Sequence, residues 1–380
     1  MLALVLVAWI LGPPRQLPPP TDSDHLLVVA PGSKLATVTA ALARARDRDT
    51  VLVRAGTYRE PELVVTRRLV LLGEGRPVLE GGDHQILRIQ ADSVTVRGLV
   101  FRLVSPSTTE DRAAIKVLHA HGCRLEDNTL LDTFFGIYLS DVDGCTVRGN
   151  LVRGSGATEV LSGNAIHSWS SRHLVIEDNV LEGHRDGIYF EFTTNTLVHH
   201  NRSTRALRYG LHFMFSHDCT YTDNSFAGNR TGVAVMYSHG LRMEGNRFEH
   251  SWGGAAHGLL LKDITDSQLR RNRFEGNTVG LFAEGTNRLE VTDNEFLRNG
   301  WGVQIMADAQ DASFRHNRFE GNSFDVSTNS VHATSRFEGN YWDRYSGYDL
   351  DRDGYGDVAY APVRLFALVV QQSAPALILL

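Results

Sequence analysis

Histidine, methionine and aromatic side chains recur at two equivalent positions in a series of short segments that each begin with glycine. In segments such as 187–191 and 210–214, the first and third residues after the glycine are apolar, so the second and fourth are predicted to face outward. The second positions hold Tyr138, His167, Tyr189, His212 and Ala234, and the fourth hold Ser140, Trp169, Glu191, Met214, Met236, Lys262, Glu284 and Met306. Large apolar and soft side chains on an outward face indicate a binding surface.

Copper coordination is the chemistry that this surface suits best. Thioether groups are ligands of Cu(I), and imidazole also serves Cu(II). We predict weak, exchangeable Cu(I) binding with these candidate ligands: Met214, His212, Met236, His167 and Glu191. We predict contacts to a partner protein through Tyr138, Trp169, Tyr189 and Met306.

Two other interpretations of this surface are open. The same side chains would also suit packing under an insertion loop or a partner without any metal. A polysaccharide lyase or epimerase would instead need paired carboxylates with a lysine or arginine base. Asp186 and Glu191 are present, but the pattern predicts no matched cation beside them. Aromatic and polar residues there would still be able to stack on sugars.

An asparagine repeat over residues 123–340 predicts the architecture that positions this surface. Successive asparagines are 22 to 29 residues apart, at Asn128, Asn150, Asn179, Asn201, Asn224, Asn246, Asn272, Asn294, Asn317 and Asn340. A fixed period in this range is typical of a solenoid. Each repeat contains three short bursts of alternating apolar residues, which predicts an all-β, right-handed parallel β-helix of about 22–23 residues per coil. Stacked coils would align the asparagines into a hydrogen-bonded ladder.

The three cysteines are too few to indicate a disulfide framework. Cys123 and Cys145 each precede a repeat asparagine by five residues, and Cys219 occupies the same position three coils later. Burial as small apolar residues is therefore expected. A bridge between Cys123 and Cys145 is the alternative.

The ends of the chain are predicted to differ from the repeats. Residues 1–22 have the apolar run and following prolines of a secretory signal peptide and linker. The β-helix is expected over 23–345, with a short amphipathic helix at 34–46 capping its first coil. The apolar tail at 363–380 would cover the open end, meet a partner such as a permease, or touch a membrane.

Polar insertions and an acidic segment interrupt the repeats. The insertions at 105–112, 154–162 and 249–255 are expected to be loops at one edge. In 346–362, acidic residues at alternate positions match the first half of a calcium loop, with candidate ligands Asp349, Asp351, Asp353, Tyr355 and Asp357. Tyr360 stands where that loop needs a glutamate, so a solvated acidic turn is the alternative to bound calcium.

Several motifs resemble those of the NosD family. They are Gly-Ile-Tyr-Phe-Glu-Phe-Thr-Thr-Asn at 187–195, Leu-Arg-Tyr-Gly-Leu-His-Phe-Met-Phe-Ser-His-Asp at 207–218, Gly-Val-Ala-Val-Met-Tyr-Ser at 232–238, Gly-Leu-Leu-Leu-Lys-Asp at 258–263, and Asn-Tyr-Trp-Asp-Arg-Tyr at 340–345 with the acidic segment after it. The resemblance extends over nearly the whole chain from about Leu26.

The resemblance implies a periplasmic, non-enzymatic protein docked on an ABC transporter made of the permease NosY and the ATPase NosF. It implies receipt of copper from the lipoprotein chaperone NosL. It also implies contact with apo nitrous oxide reductase, NosZ, whose copper centres are then filled. The formal net charge of −6 independently argues against a nucleic-acid partner.

Overall fold

The computed structural model describes residues 25–156, 158–329, 335–363 and 367, which form a parallel β-helix. Each regular coil contributes three short strands, and the strands of successive coils stack in register into a 25-stranded and a 13-stranded sheet. This confirms the predicted fold. The predicted signal peptide and most of the predicted tail lie outside the described residues, so their bounds stay predictions.

The strands that begin at the repeat glycines form one parallel stack. They are Leu63–Val65, Leu87–Ile89, Ala113–Leu118, Phe135–Ser140, Asn164–Trp169, Asp186–Glu191, Tyr209–Met214, Thr231–His239, His257–Arg270, Val279–Glu284, Trp301–Ile305 and Phe324–Ser327. The strand His257–Arg270 runs through the following turn, so it also belongs to the next stack.

The strands before and after the repeat asparagines form the other two stacks. Those before the asparagines are Leu26–Val29, Thr50–Arg54, Val70–Glu74, Thr95–Arg97, Arg124–Glu126, Thr146–Arg148, Val175–Glu177, Leu197–His199, Thr220–Thr222, Arg242–Glu244, Asn287–Thr292, Ser313–Arg315 and Arg336–Glu338. Those after them are Thr57–Arg59, Val78–Gly82, Val100–Val104, Thr129–Thr133, Leu151–Arg153, Val180–Glu182, Arg202–Thr204, Ser225–Ala227, Arg247–Glu249, Arg273–Glu275, Glu295–Leu297, Arg318–Glu320 and Tyr341–Trp342.

The asparagine ladder is present as predicted, and each buried asparagine bonds the next coil. The backbone N–H and the side-chain amide of Asn201 both donate to Oδ1 of Asn224, at 2.9 and 3.1 Å. The amide also donates to the carbonyl of Ile176 in the preceding coil, at 2.8 Å. Because unpaired buried polar groups are costly, the ladder fixes the register of the coils.

Stacked aromatic rings fill much of the interior. One column runs through Phe226, Phe248, Phe274, Phe296, Phe319 and Trp342 with nearly parallel planes. Burial of such rings is a large apolar contribution to stability. The cysteines Cys123, Cys145 and Cys219 are buried with free thiols, so the alternative bridge between the first two is not formed.

The capping helix is shorter than predicted and covers Val38–Arg44. Thr37 begins it by accepting the N–H of Ala40, and the Glu60 carboxylate accepts the N–H groups of Val38 and Thr39 at 2.8 Å each. Leu35 instead folds into the preceding loop, where its carbonyl accepts the N–H of Ala30. The apolar pattern alone did not show this cap, so the predicted range of 34–46 was too long at both ends.

The three insertions lie between strands after the asparagines and the next glycine-initiated strands, at one edge as predicted. The second contains a short 3₁₀ helix, Glu159–Leu161, whose Glu159 pairs with Arg230 at 2.6 Å. At the C-terminal end, Val363 packs against the main core and Ala367 is buried against Phe324. Among the described residues, no helix has the length and apolar character needed to cross a bilayer.

Candidate functional site

The predicted fourth positions form a continuous column along one edge of the glycine-initiated strands. Strand pairing places Trp169 beside Glu191, Glu191 beside Met214, Met214 beside Met236, and Met236 beside Lys262. Neighbouring strands in a sheet are about 4.8 Å apart, so adjacent side chains of this column can reach a shared ligand. We call the three residues Glu191, Met214 and Met236 the Glu–Met ladder.

The Glu–Met ladder is half-buried and has one polar neighbour with a defined orientation. The hydroxyl of Tyr189 donates to Oε2 of Glu191 at 3.3 Å and lies 4.0 Å from the sulfur of Met214. Burial, together with the charge of Glu191, raises the pKa of Tyr189 to about 12. The phenol therefore remains a hydrogen-bond donor beside a carboxylate and a thioether.

The second positions do not form the exposed surface that the alternation predicted. Tyr138, His167 and Tyr189 stack with ring centroids 4.3 and 5.0 Å apart, and His212 meets Tyr189 edge to face at 4.9 Å. We call these four residues the ring column. His167 and His212 are only 9% and 5% exposed, and Ala234 is fully buried. Phe135 packs against Tyr138 and His167, and Tyr209 packs against His212. The histidines therefore lie on the outward side of their strands, as predicted, but the prediction that they are exposed was wrong.

His167 is committed to this packing. Its Nδ1 accepts a hydrogen bond from the Asn164 amide at 3.0 Å. Burial lowers the pKa of His167 to about 3, so its ring is neutral. A role as a ligand for an ion that arrives from solvent requires the flanking tyrosines to move.

His212 keeps one free ring nitrogen. Its Nε2 is buried, with no hydrogen-bond partner among the described residues. Its Nδ1 lies 3.4 Å from Arg208 and 3.7 Å from Asp186. Tyr189 and Tyr209 border the ring, so Nε2 is available only where one of them shifts.

The five predicted copper ligands are thus not brought together around one point. Glu191, Met214 and Met236 follow one another on adjacent coils, whereas His167 is three coils from the coil of Met236 and sits in the buried ring column. Met306 lies three coils beyond Met236, or about 14 Å at the usual strand spacing. One ion can contact the Glu–Met ladder, but not all of the candidates.

The residues predicted to contact a partner protein differ in their exposure. Trp169 is 42% exposed and lies between Ser140 and Glu191 in the column of fourth positions. Tyr138 is half-buried, its hydroxyl 3.4 Å from the Asp111 carboxylate of the first insertion, and Lys116 lies over its ring. These placements leave the contact roles as predictions.

An exposed aromatic ladder beside the Glu–Met ladder was missed by the sequence interpretation. Phe192, Phe215 and Tyr237 directly follow Glu191, Met214 and Met236, and they stack with centroids 5.4 and 5.1 Å apart. They are 48, 37 and 40% exposed. The recurrence of an aromatic residue at this position with steps of 23 and 22 residues was the available signal.

The aromatic ladder occupies a backbone conformation that bulky residues rarely adopt. The φ angles of Phe192, Phe215 and Tyr237 are 53°, 49° and 54°. Left-handed backbone is unfavourable for such side chains and is found mostly where surrounding structure enforces it. Exposed rings that keep an unfavourable backbone conformation next to the Glu–Met ladder indicate a contact surface.

A buried ion pair corrects the expectation that Asp186 lacks a cationic neighbour. Arg208 from the next coil donates to both oxygens of Asp186, at 3.0 and 2.5 Å. The pattern missed it because Arg208 lies in a turn two residues before the glycine. The Asp186 side chain is fully buried, so this pair is placed to support the strands rather than to meet a polymer.

The acidic segment brings three of its five candidate residues together. Ligand oxygens of Asp349, Asp351 and Asp353 lie within 4.8 Å of one another and are exposed. The Asp357 carboxylate instead accepts the N–H of Leu350 at 2.7 Å. The hydroxyl of Tyr360 bonds Asp325 at 3.1 Å, away from the loop. Calcium binding there, including by Tyr355, stays a prediction.

Solved structures similar to this fold include carbohydrate-active β-helices with low sequence identity. The A-module of an Azotobacter vinelandii mannuronan C-5 epimerase is 14% identical, with a TM-score of 0.62, covering 80% of this chain and 92% of that one. The catalytic unit of an α-1,3-glucanase from Streptomyces thermodiastaticus is 15% identical, with a TM-score of 0.64, covering 80% and 65%. This similarity concerns the fold and does not transfer activity.

Sequence comparison gives a more specific result. Residues 154–347 match the family model described as "Periplasmic copper-binding protein (NosD)". A Pseudomonas aeruginosa protein named "Probable ABC transporter binding protein NosD" is 33% identical over 81% of this chain and 76% of its own. A Stutzerimonas stutzeri protein of the same name is 28% identical over 81% and 74%. The matched segment contains the Glu–Met ladder and the aromatic ladder, and the chain belongs to the NosD family.

Proposed function

We propose that the protein is the copper-handling arm of an ABC transporter complex and serves the maturation of the copper centres of nitrous oxide reductase. The observation that carries this proposal is the Glu–Met ladder, in which three copper-compatible side chains lie on adjacent coils of one outward edge. The family description as periplasmic and copper-binding supports it. The names of the relatives support a partnership with an ABC transporter.

Copper would be carried as cargo in the reduced state. Met214 and Met236 offer two thioethers from neighbouring strands, and soft thioethers select Cu(I). Glu191 offers a carboxylate from the adjacent coil on the other side of Met214. A half-buried, three-residue site lets an ion enter and leave from solvent, which suits transfer better than storage.

Transfer needs a donor and an acceptor that can approach this edge. The aromatic ladder runs directly alongside the Glu–Met ladder and exposes three large rings. Aromatic residues are enriched where proteins bind one another. We assign this surface to the copper chaperone of the NosL type and to the reductase, NosZ, in turn. The NosF and NosY components would hold the β-helix at the membrane.

The β-helix has the rigidity that such an arm requires. Its coils are joined by parallel strands along the whole described length and by the buried asparagine ladder. Motion supplied by the transporter would therefore move the arm as one body. No catalytic step is needed for this role, in keeping with a non-enzymatic accessory protein.

Removal of both thioethers is expected to weaken Cu(I) binding at least tenfold. The exported domain is titrated anaerobically with Cu(I) against a chromophoric chelator. The wild type is expected to bind about one equivalent, and Met214→Ala/Met236→Ala is expected to lose it, because the two sulfurs are the soft ligands of the ladder.

Met306→Ala is the matched control. It removes a methionine from the same column of fourth positions but three coils away, so copper affinity should not change. Equal loss in the control would contradict the assignment of the site. A wild-type protein without Cu(I) affinity would favour a metal-free docking scaffold, whereas activity on uronate polymers would favour a lyase or epimerase.

A further inference from the structure

Two consecutive histidines form a compact nitrogen pair on a different part of the coil. His199 ends the strand Leu197–His199, and His200 follows it in the turn before Asn201 with a φ of 54°. Their Nδ1 atoms are 3.1 Å apart. His200 is 56% exposed and His199 is 21% exposed, so the pair is open to solvent.

A hydrogen bond to Glu177 fixes the tautomer of His199. Its Nε2 donates to Oε2 of Glu177 at 2.7 Å. Glu177 is itself held by Arg148, which lies 3.4 Å from its other oxygen. In neutral His199 the proton is therefore on Nε2, and the lone pair of Nδ1 points to His200. A carboxylate behind an imidazole in this way is the usual support of a metal-ligating histidine.

Two carboxylates flank the other ring. Asp178 places an oxygen 4.0 Å from Nδ1 of His200, and Asp223 places one 3.8 Å from its Nε2. Asp178, His200 and Asp223 occupy the same turn position on three successive coils. Both carboxylates are more than half exposed and have room to rotate toward the histidine pair.

We propose that His199 and His200 form a binding site for a divalent transition-metal ion, with the carboxylates of Asp178 and Asp223 near His200 to balance the charge of the ion. Imidazole nitrogens bind such ions at about 2.0–2.1 Å, and nitrogens 3.1 Å apart then subtend an angle of about 100° at the metal. That angle lies between square-planar and tetrahedral values. The nitrogens are thus already at chelating distance.

Proton positions change in a balanced way when the ion binds. Without metal, Nδ1–H of His200 donates to Nδ1 of His199. With metal, both Nδ1 lone pairs bind the ion, and the His200 ring carries its proton on Nε2, which faces Asp223. No net proton is lost from the pair, and the two aspartates partly neutralise the positive charge of the ion.

The site differs from the Glu–Met ladder in ligand class and place. Imidazole and carboxylate suit Cu²⁺ or Zn²⁺, whereas the thioethers of the ladder suit Cu⁺. Glu191 and His199 belong to successive strands of one coil, separated by the turn at 192–196. This inference stands independently of the proposed function, since failure at the histidine pair leaves the thioethers unaffected.

Cu²⁺ titration of the exported domain, followed by electron paramagnetic resonance, tests the pair. The wild type is expected to show a Cu²⁺ signal with coupling to two nitrogens, and only a large excess of Zn²⁺ is expected to displace the Cu²⁺, because such ligands bind Cu²⁺ more tightly. His199→Asn and His200→Asn should each weaken binding at least tenfold and remove one nitrogen. Asparagine tolerates the left-handed backbone at position 200, so the fold is expected to be retained.

His316→Asn is the control. His316 occupies the turn position of His200 near the other end of the β-helix, lies 3.9 Å from Asp293, and is preceded by Arg315 instead of a histidine. The His316→Asn change should leave the two-nitrogen signal intact.

The Glu177→Gln change should lower the Cu²⁺ affinity severalfold while both nitrogens remain bound. An absent wild-type site, or equal losses in all variants, would overturn the proposal and leave the pair as a hydrogen bond.

Discussion

Replacing Arg208 by methionine is expected to lower the free energy of unfolding by about 3–5 kcal/mol. The change removes the bidentate partner of Asp186, whose side chain is fully buried. Burial opposes ionisation of Asp186, but hydrogen bonds from His212 and Arg208 outweigh it and lower the pKa of the carboxyl. Without Arg208 the carboxylate is left charged and unpaired in the interior, or must take up a proton. Urea unfolding at pH 7 measures the loss.

Arg288→Met provides a matched control for this change. Arg288 also makes a bidentate pair with an aspartate of the preceding coil, Asp266, at 2.6 and 2.7 Å. This second pair is exposed to solvent, where ion pairs contribute little. We expect an unfolding midpoint close to that of the wild type. Equal effects of the two changes would contradict the structural role assigned to the buried pair. The double change Asp186→Leu/Arg208→Met should recover part of the loss.

Acidification from pH 7 to pH 5 is expected to destabilise the fold through two buried histidines outside the site. Burial lowers the pKa of His184 and of His257 to about 4. Above pH 6.5 both are neutral in the folded and the unfolded chain, so they contribute nothing to pH dependence. Below pH 6.5 the unfolded chain binds protons at these histidines, whereas the folded chain does not bind them until about pH 4. At pH 5 each histidine therefore lowers the free energy of unfolding by about 2 kcal/mol.

His184→Gln is expected to reduce this acid sensitivity. The Nε2 of His184 donates to the carbonyl of Thr133 at 3.1 Å, and a glutamine amide can replace that donor. His119→Gln is the control, because His119 is 71% exposed beside Asp141. Unfolding in urea at pH 7 and pH 5 should show a smaller pH difference for the first variant alone. An unchanged difference would contradict a buried, neutral His184.

The repeat asparagines, together with the three apolar bursts in each repeat, were sufficient to predict the fold from the sequence. Positions counted from the glycine that opens each strand placed Glu191, Met214 and Met236 correctly in one row. Strand positions followed from alternation, which is a local property. The first residue of the capping helix could not be predicted from alternation, because Thr37 and Glu60 determine where that helix begins.

Exposure was the property that the pattern predicted poorly. Alternation gives the side of a strand on which a residue lies, but not what covers that side. His167 and His212 point away from the core yet are enclosed by tyrosine rings of adjacent coils. Arg208, Phe192 and Phe215 lie in turns, where alternation stops, and Tyr237 lies near the end of the strand Thr231–His239. Their partners come from the neighbouring coil, so only the stacked structure brings them together.

The measurement that tests the central claim most directly is the copper content of nitrous oxide reductase matured with this protein. Cells that make the reductase and its accessory proteins would carry the wild-type chain, Met214→Ala/Met236→Ala, or the control Glu284→Ala, which changes the same column of fourth positions two coils from Met236. The account predicts a folded, copper-depleted and inactive reductase with the double variant, and a fully loaded enzyme with the control. A fully loaded reductase with the double variant would contradict delivery through the Glu–Met ladder.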